Sequence, residues 1–308
     1  MKTMLRTLLT TACISICYLF MSQSVFSQEV IEVKSLQAQM SKGTQPCYQV
    51  NIPEADMNTV QKNWIKKIQE STKIKVIEKD QELLLAGVVK KELTSDTINI
   101  YSLIIPKENY LELNVFYEID SVFFKPNEDK TDLASEKIDS SIKKYLLSFA
   151  TEQYRLVVKK ELEGEQNELE TMQADLEKLI KEEENLRKDN ASLETDIEDY
   201  EREVAETDKN IELKNQEILN HTLTMQTITG EEARKVAEDD HKDLEKEKKQ
   251  LVKDRGKAKE GISDSKSKIE KNTKAIEESL KDQEAKKEEI EIQTEVVKQV
   301  EEKLEGIK

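Results

Sequence analysis

The stretch LEGEQNELETMQADLEKLIKEEENLRKDN, residues 162–190, opens a seven-residue repeat that runs on to residue 228. Counting Leu162 as position a, the a sites read Leu162, Leu169, Leu176, Glu183, Asn190, Ile197, Val204, Ile211, Ile218 and Met225. The d sites read Met172, Leu179, Leu186, Leu193 and Tyr200, then weaken through Thr207, Lys214 and His221 before Ile228. Apolar residues alternating three and four apart make a narrow stripe that is buried only against another helix. The reading is a coiled coil.

Composition agrees. The chain has 308 residues, of which 36% are charged, with only 7 Gly and 4 Pro, as long solvated helices require. All four prolines precede the repeat, and Tyr200 is the one aromatic residue beyond Tyr154. A boundary near residue 150 follows, with residues 47–150 as a globular domain long enough to bury one core. An N-terminal arm and linker, residues 28–46, would lead into it.

Before that arm the sequence has the pattern of an export signal. Lys2 and Arg6 supply the charge, residues 8–21 the apolar middle, and Val25-Phe26-Ser27 a cleavage site. Thr10, Thr11, Ser15 and Ser22 interrupt the apolar run and leave it short for a membrane span. Neither Cys13 nor Cys17 has a leucine three residues before it, so no lipid anchor is expected. These residues imply a secreted protein with no stable membrane span after cleavage. A periplasmic place is the simplest, with an extracellular or outer-membrane-associated one open. Removing residues 1–27 leaves Cys47 alone, either as a buried small hydrophobe or in an intermolecular disulfide.

Within the globular part, period-two runs and one helical run alternate. A strand over 47–52 stops at Pro53, which is read as opening a helix with Glu54 and Asp56 in its first turn. Met57, Val60, Trp64 and Ile68 then recur at helical spacing. Strands follow over 74–78, 82–93 (bulged at Gly87), 98–105 and 110–119, with a short apolar patch at 122–124. After the loop 125–130, Asp132 is expected to cap a helix carrying Leu133, Ile138, Ile142, Tyr145, Leu146 and Phe149. The fold class is α+β, a small two-layer antiparallel-sheet domain of order β-α-β-β-β-β-α, followed by a long antiparallel coiled-coil hairpin.

That order over residues 47–150 resembles the TBP-like domains found in uncharacterised exported bacterial proteins. The resemblance is one of topology. It implies a two-layer fold and no DNA binding, because a fold does not fix a function and the domain is almost neutral. Residues 28–150 carry 16 Lys and Arg against 19 Asp and Glu. Residues 161–220 carry 7 against 21, which repels phosphate, so no nucleic-acid partner is expected.

The repeat fails over 222–230, which carries no formal charge, is rich in β-branched residues and ends in Gly230; it is read as a hairpin tip. Arm 1 covers 151–221 and arm 2 covers 231–308. Arm 2 is less apolar, with Ile262, Ile269, Ile276, Ile290, Val297 and Leu304 at a, and Ser265, Asn272 and Ser279 among its d sites. Folding back about Gln226 sets residues 241–274, with 12 basic and 7 acidic side chains, beside residues 178–211, with 6 and 12. A parallel homodimer would instead oppose like charge. Many weak pairs together select the antiparallel hairpin. Folded this way, Leu304 stands level with Ser148 and Phe149, and Asn190 fixes register.

No glycine-rich phosphate loop and no nucleophile with a histidine base is found. His221 and His241, the chain's two histidines, have no cysteine or third ligand at helical spacing, so no metal site and no cofactor is expected. The expected role is a non-enzymatic structural, scaffold or adaptor protein that docks a protein partner in the cell envelope. Leu223, Met225 and Ile228 at the tip are the candidate contact residues. Two alternatives stand beside it. One is a periplasmic holdase-type chaperone, which needs a homo-oligomer. The other is an efflux-type periplasmic adaptor, whose hairpin is followed by further β-domains.

Overall fold

The computed structural model describes residues 31–125 and 133–307. The export signal, its cleavage site and the Asp132 cap lie outside the described residues, as does most of the loop 125–130. The protein is α+β. The strands are β1 (Val33–Met40), β2 (Gly43–Pro53), β3 (Ile77–Lys79), β4 (Glu82–Val89), β5 (Thr97–Pro106), β6 (Tyr110–Ile119) and β7 (Val122–Phe123). The helices are α1 (Met57–Gln69), α2 (Leu133–Met225) and α3 (Glu231–Gly306). The chain forms two compact units, Met1–Asn167 with Thr294–Lys308, and Glu168–Gln293.

The first unit holds a seven-stranded antiparallel sheet of order β1-β2-β6-β5-β4-β3, with β7 paired to the end of β6. Its main core lies under the helices. Val60, Trp64 and Ile68 of α1 and Ile142, Leu146, Phe149 and Ala150 of α2 pack on Val50, Ile52, Leu85, Ile100, Leu113 and Val115. Trp64 is fully buried, with the Phe149 ring centroid 4.8 Å and the Tyr145 centroid 6.1 Å from its own. Helix α1 starts later than the sequence reading. Pro53 closes β2 opposite Tyr110, and Asp56 is the N-cap, its carboxylate accepting from the Thr59 amide at 2.8 Å. An Asp side chain satisfies an orphan amide there, which a proline one turn earlier cannot do.

β1 departs from the expected arm. Residues 33–40 pair with β2 along their whole length, Val33 opposite Val50 and Met40 opposite Gly43. The polar spelling, VKSLQAQM, suits an edge strand with one solvated face. Gly87, at φ +68°, sits where the β4–β5 register shifts between Leu85 and Val88, and its amide donates to Asn99 Oδ1 at 2.8 Å.

A second cluster lies on the sheet face away from the helices: Met40, Cys47, Tyr101 and Phe116, flanked by Leu36, Ala38, Leu84, Leu103 and Phe123. β2 pairs with β6 only from Tyr48 onward, and the β1–β2 turn reaches across this face. Ser41 holds it there, its amide (3.0 Å) and Oγ (2.7 Å) both donating to the Glu82 carboxylate at the start of β4. This face is therefore covered by the sheet's own hairpin. Cys47 is buried with no disulfide partner among the described residues, and burial pushes its thiol up to about 12.

The last turns of α3 belong to this unit. Val300, Leu304 and Ile307 pack against Tyr154, Val158 and Leu162 of α2, and Arg155 donates to the Ile307 carbonyl. Lys303 bonds Glu161 at 2.9 Å and Glu54 at 3.3 Å, lying over the Tyr154 ring. Leu304 thus meets residues of the turns around Tyr154 and Val158, beyond the expected level of Phe149.

In the second unit the long helices pack antiparallel. Arg255 meets Asp208 at 2.9 Å, Lys214 meets Glu247 at 2.8 Å, and Asn272 Nδ2 donates to Asp189 at 2.7 Å. These partners are centred on Glu231 rather than Gln226. The shift goes with α2 continuing through residues 222–225, where the Thr222 and Thr224 hydroxyls donate to the Ile218 and Asn220 carbonyls at 2.8 and 3.0 Å. Arm 1 is therefore longer than the sequence reading.

Candidate functional site: the end of the coiled coil

The helices of the second unit are joined by residues 226–230. The turn is closed by Thr227 N–H to Thr224 O (3.0 Å), Ile228 N–H to Met225 O (3.3 Å) and the Thr227 hydroxyl to Thr224 O (2.7 Å). Gly230 stands at the N-cap of α3, its carbonyl accepting from the Arg234 amide at 3.0 Å. Glu231 and Glu232 occupy the first turn, where negative charge suits the helix dipole.

Of the expected contact residues, Leu223 is 54% exposed, whereas Met225 and Ile228 are half-buried against the turn. Leu223 has company the sequence reading missed: Leu219 is 60% exposed and Val236 63% exposed. A signal was available. Leu219 and Leu223 fall at b and f of the heptad, positions that normally carry charge. Leu219 and Leu223 lie one turn apart on α2, and Val236 lies in the second turn of α3.

Just inside the tip, His221 of α2 faces His241 of α3, with ring centroids 5.8 Å apart and planes 33° apart. Both Nδ1 atoms are buried and hydrogen-bond nothing among the described residues. Sequence reasoning did not join these residues, because a fold about Gln226 sets His221 opposite Glu231. Further along, Lys214 ties Glu217 and Glu247 together.

Asn190, the expected register residue, is half-buried, and its Oδ1 has no hydrogen-bond partner among the described residues. Its neighbour Asp189 makes the cross-arm bond to Asn272 instead. Gln283 makes another polar layer, its Nε2 donating to Glu183 at 3.2 Å, while Ser279 Oγ donates to the Leu179 carbonyl at 3.3 Å.

In the first unit, Glu118 collects the densest polar network, on the sheet face away from the helices. It accepts from Lys42 Nζ at 2.9 Å, Asn99 Nδ2 at 2.8 Å and Tyr101 Oη at 2.9 Å, and Lys42 lies 4.9 Å from the Tyr101 ring centroid. Burial drives this carboxyl up, but the three donors together outweigh it and hold it below the usual carboxylate range. Every member has a partner, so the network fastens the β1–β2 turn to strands β5 and β6.

Among the described residues, no group of three or more His, Cys, Asp or Glu side chains is placed to hold a metal ion. No described helix is long and apolar enough to cross a membrane. The chain matches no protein-family model, and no curated protein matches it.

Proposed function

We propose that this protein is an exported, non-enzymatic scaffold or adaptor of the cell envelope, which presents the end of its coiled coil to a protein partner. The observation that carries the reading is the trio Leu219, Leu223 and Val236 near the uncharged turn, each more exposed than Leu213, Val252 and Leu280 farther along the coil. Small exposed apolar clusters of this kind serve as anchors in protein interfaces, where a few residues supply most of the affinity. Export is supported by the charged start, apolar middle and small-residue site of residues 1–27. Polar replacement at all three positions leaves the seam residues Ile211 and Ile218 untouched, so the coil should keep its stability.

The test is in-cell cross-linking from the tip, comparing the native protein with the Leu219→Ser, Leu223→Ser, Val236→Ser variant. Loss of one discrete cross-linked partner, with circular dichroism unchanged, agrees with the proposal. The same partner captured with equal yield by the variant removes the tip as the docking site.

A further inference from the structure

We propose that His221 and His241 form a chelating site for a divalent transition-metal ion of zinc-like character, which ties the two arms together just inside the turn. The chain has two histidines in all, one on each arm, and the antiparallel pairing brings them face to face. With metal–nitrogen bonds of about 2.0–2.1 Å, two imidazoles on one ion have ring centroids roughly 5–6 Å apart. The observed 5.8 Å falls in that range before any side chain moves.

The second observation is the state of the rings. Each Nδ1 is buried and unpaired among the described residues, a costly condition for a ring nitrogen unless something binds it. The neutral imidazole suits Zn2+, Cu2+ and Ni2+ and is a poor ligand for Mg2+ or Ca2+, which select oxygen.

The recess that His241 lines is also lined by Lys242, Lys246, Lys248 and Lys249, and this positive charge tempers the affinity. On α3 the adjacent Lys242 is engaged by Asp239 at 2.8 Å, and Glu245 lines the same recess as His241. On α2, Glu217 lies one turn from His221 and is held by Lys214. No third side chain completes the group among the described residues. Water therefore fills the remaining positions, and the site is weaker than a closed four-ligand one. Because the ligands come from both arms, a bound ion favours the closed coil over the frayed one by mass action.

The experiment titrates ZnCl2 into the full chain carrying no histidine tag, after treatment with EDTA. Calorimetry should show one ion per chain, and either His221→Ala or His241→Ala should weaken binding by about tenfold or more. Proton NMR of the native chain gives a readout independent of the variants' folding: both Cε1–H signals should shift together and saturate at one equivalent, while MgCl2 moves neither. Undiminished binding by the double alanine variant overturns the proposal, as does an absence of any shift at millimolar Zn2+.

Discussion

The ring of Tyr200 lies so close over the backbone of Gly261 that a Cβ built on the glycine stands 2.7 Å from Cε2 and Cζ. One arm supplies the largest side chain of the seam and the other the smallest. Gly256, five residues earlier on the same helix, has nothing within 4 Å of its own Cβ position. Alanine should therefore act with opposite sign at the two sites. Gly256→Ala gains about 1 kcal/mol from helix propensity alone. Gly261→Ala overpacks the Tyr200 ring and loses about 1–3 kcal/mol despite the same propensity gain. Urea unfolding of both variants checks this, and Tyr200→Leu should rescue Gly261→Ala in a double-mutant cycle.

Cys47 should behave as an inert core residue. It is fully buried in the cluster of Met40, Tyr101 and Phe116, and burial raises its thiol to about 12. With Cys13 and Cys17 replaced by serine, Ellman's reagent should modify it at a rate set by opening of the β1–β2 hairpin, hence slowly in buffer and at once in denaturant. Equal rates in both conditions contradict the buried placement.

Acid stability should depend on Glu118. Its native carboxyl is held below the ordinary value of 4.5. The unfolded chain therefore takes up a proton before the native state does. The contribution is complete above the ordinary value and is lost as pH falls through the lower native one. Glu118→Gln removes this dependence, so the difference in melting temperature between native protein and variant should shrink from about pH 7 to about pH 3.

Lys303 fastens the end of α3 to Glu161 and Glu54 with its side chain only 12% exposed. Burial pulls its ammonium down, yet its carboxylate partners together raise it above 10.5. Its contribution is thus present through neutral pH and fades only as strong alkali deprotonates the native amine. Lys303→Met should cost about 1–3 kcal/mol in the first unit, with faster amide exchange in the last turns of α3.

The heptad was legible because its period is local: Leu169, Leu176, Ile197 and Ile218 announce a helix seam without knowledge of a partner. Strand β6 was equally plain, its limits read as Tyr110 and Ile119 from alternation alone. What escaped were features set by distant residues. The polar strand β1 is a strand because β2 pairs with it, and Glu118, opposite the helix-facing row, is buried among its donors Lys42, Asn99 and Tyr101. The facing of His221 and His241 depends on a turn displaced by five residues, because α2 continues through Met225.

The cross-arm contacts all follow from one chain folding back on itself about Glu231. Cysteines placed at Asp189 and Asn272, with Cys13 and Cys17 replaced by serine, test this directly with a short bismaleimide. The hairpin should give an efficient cross-link within a single chain of monomer mass, and little reaction when the second cysteine is moved from Asn272 to Ser263. Cross-linked species of twice that mass alone, or a stronger reaction from Ser263, would contradict it.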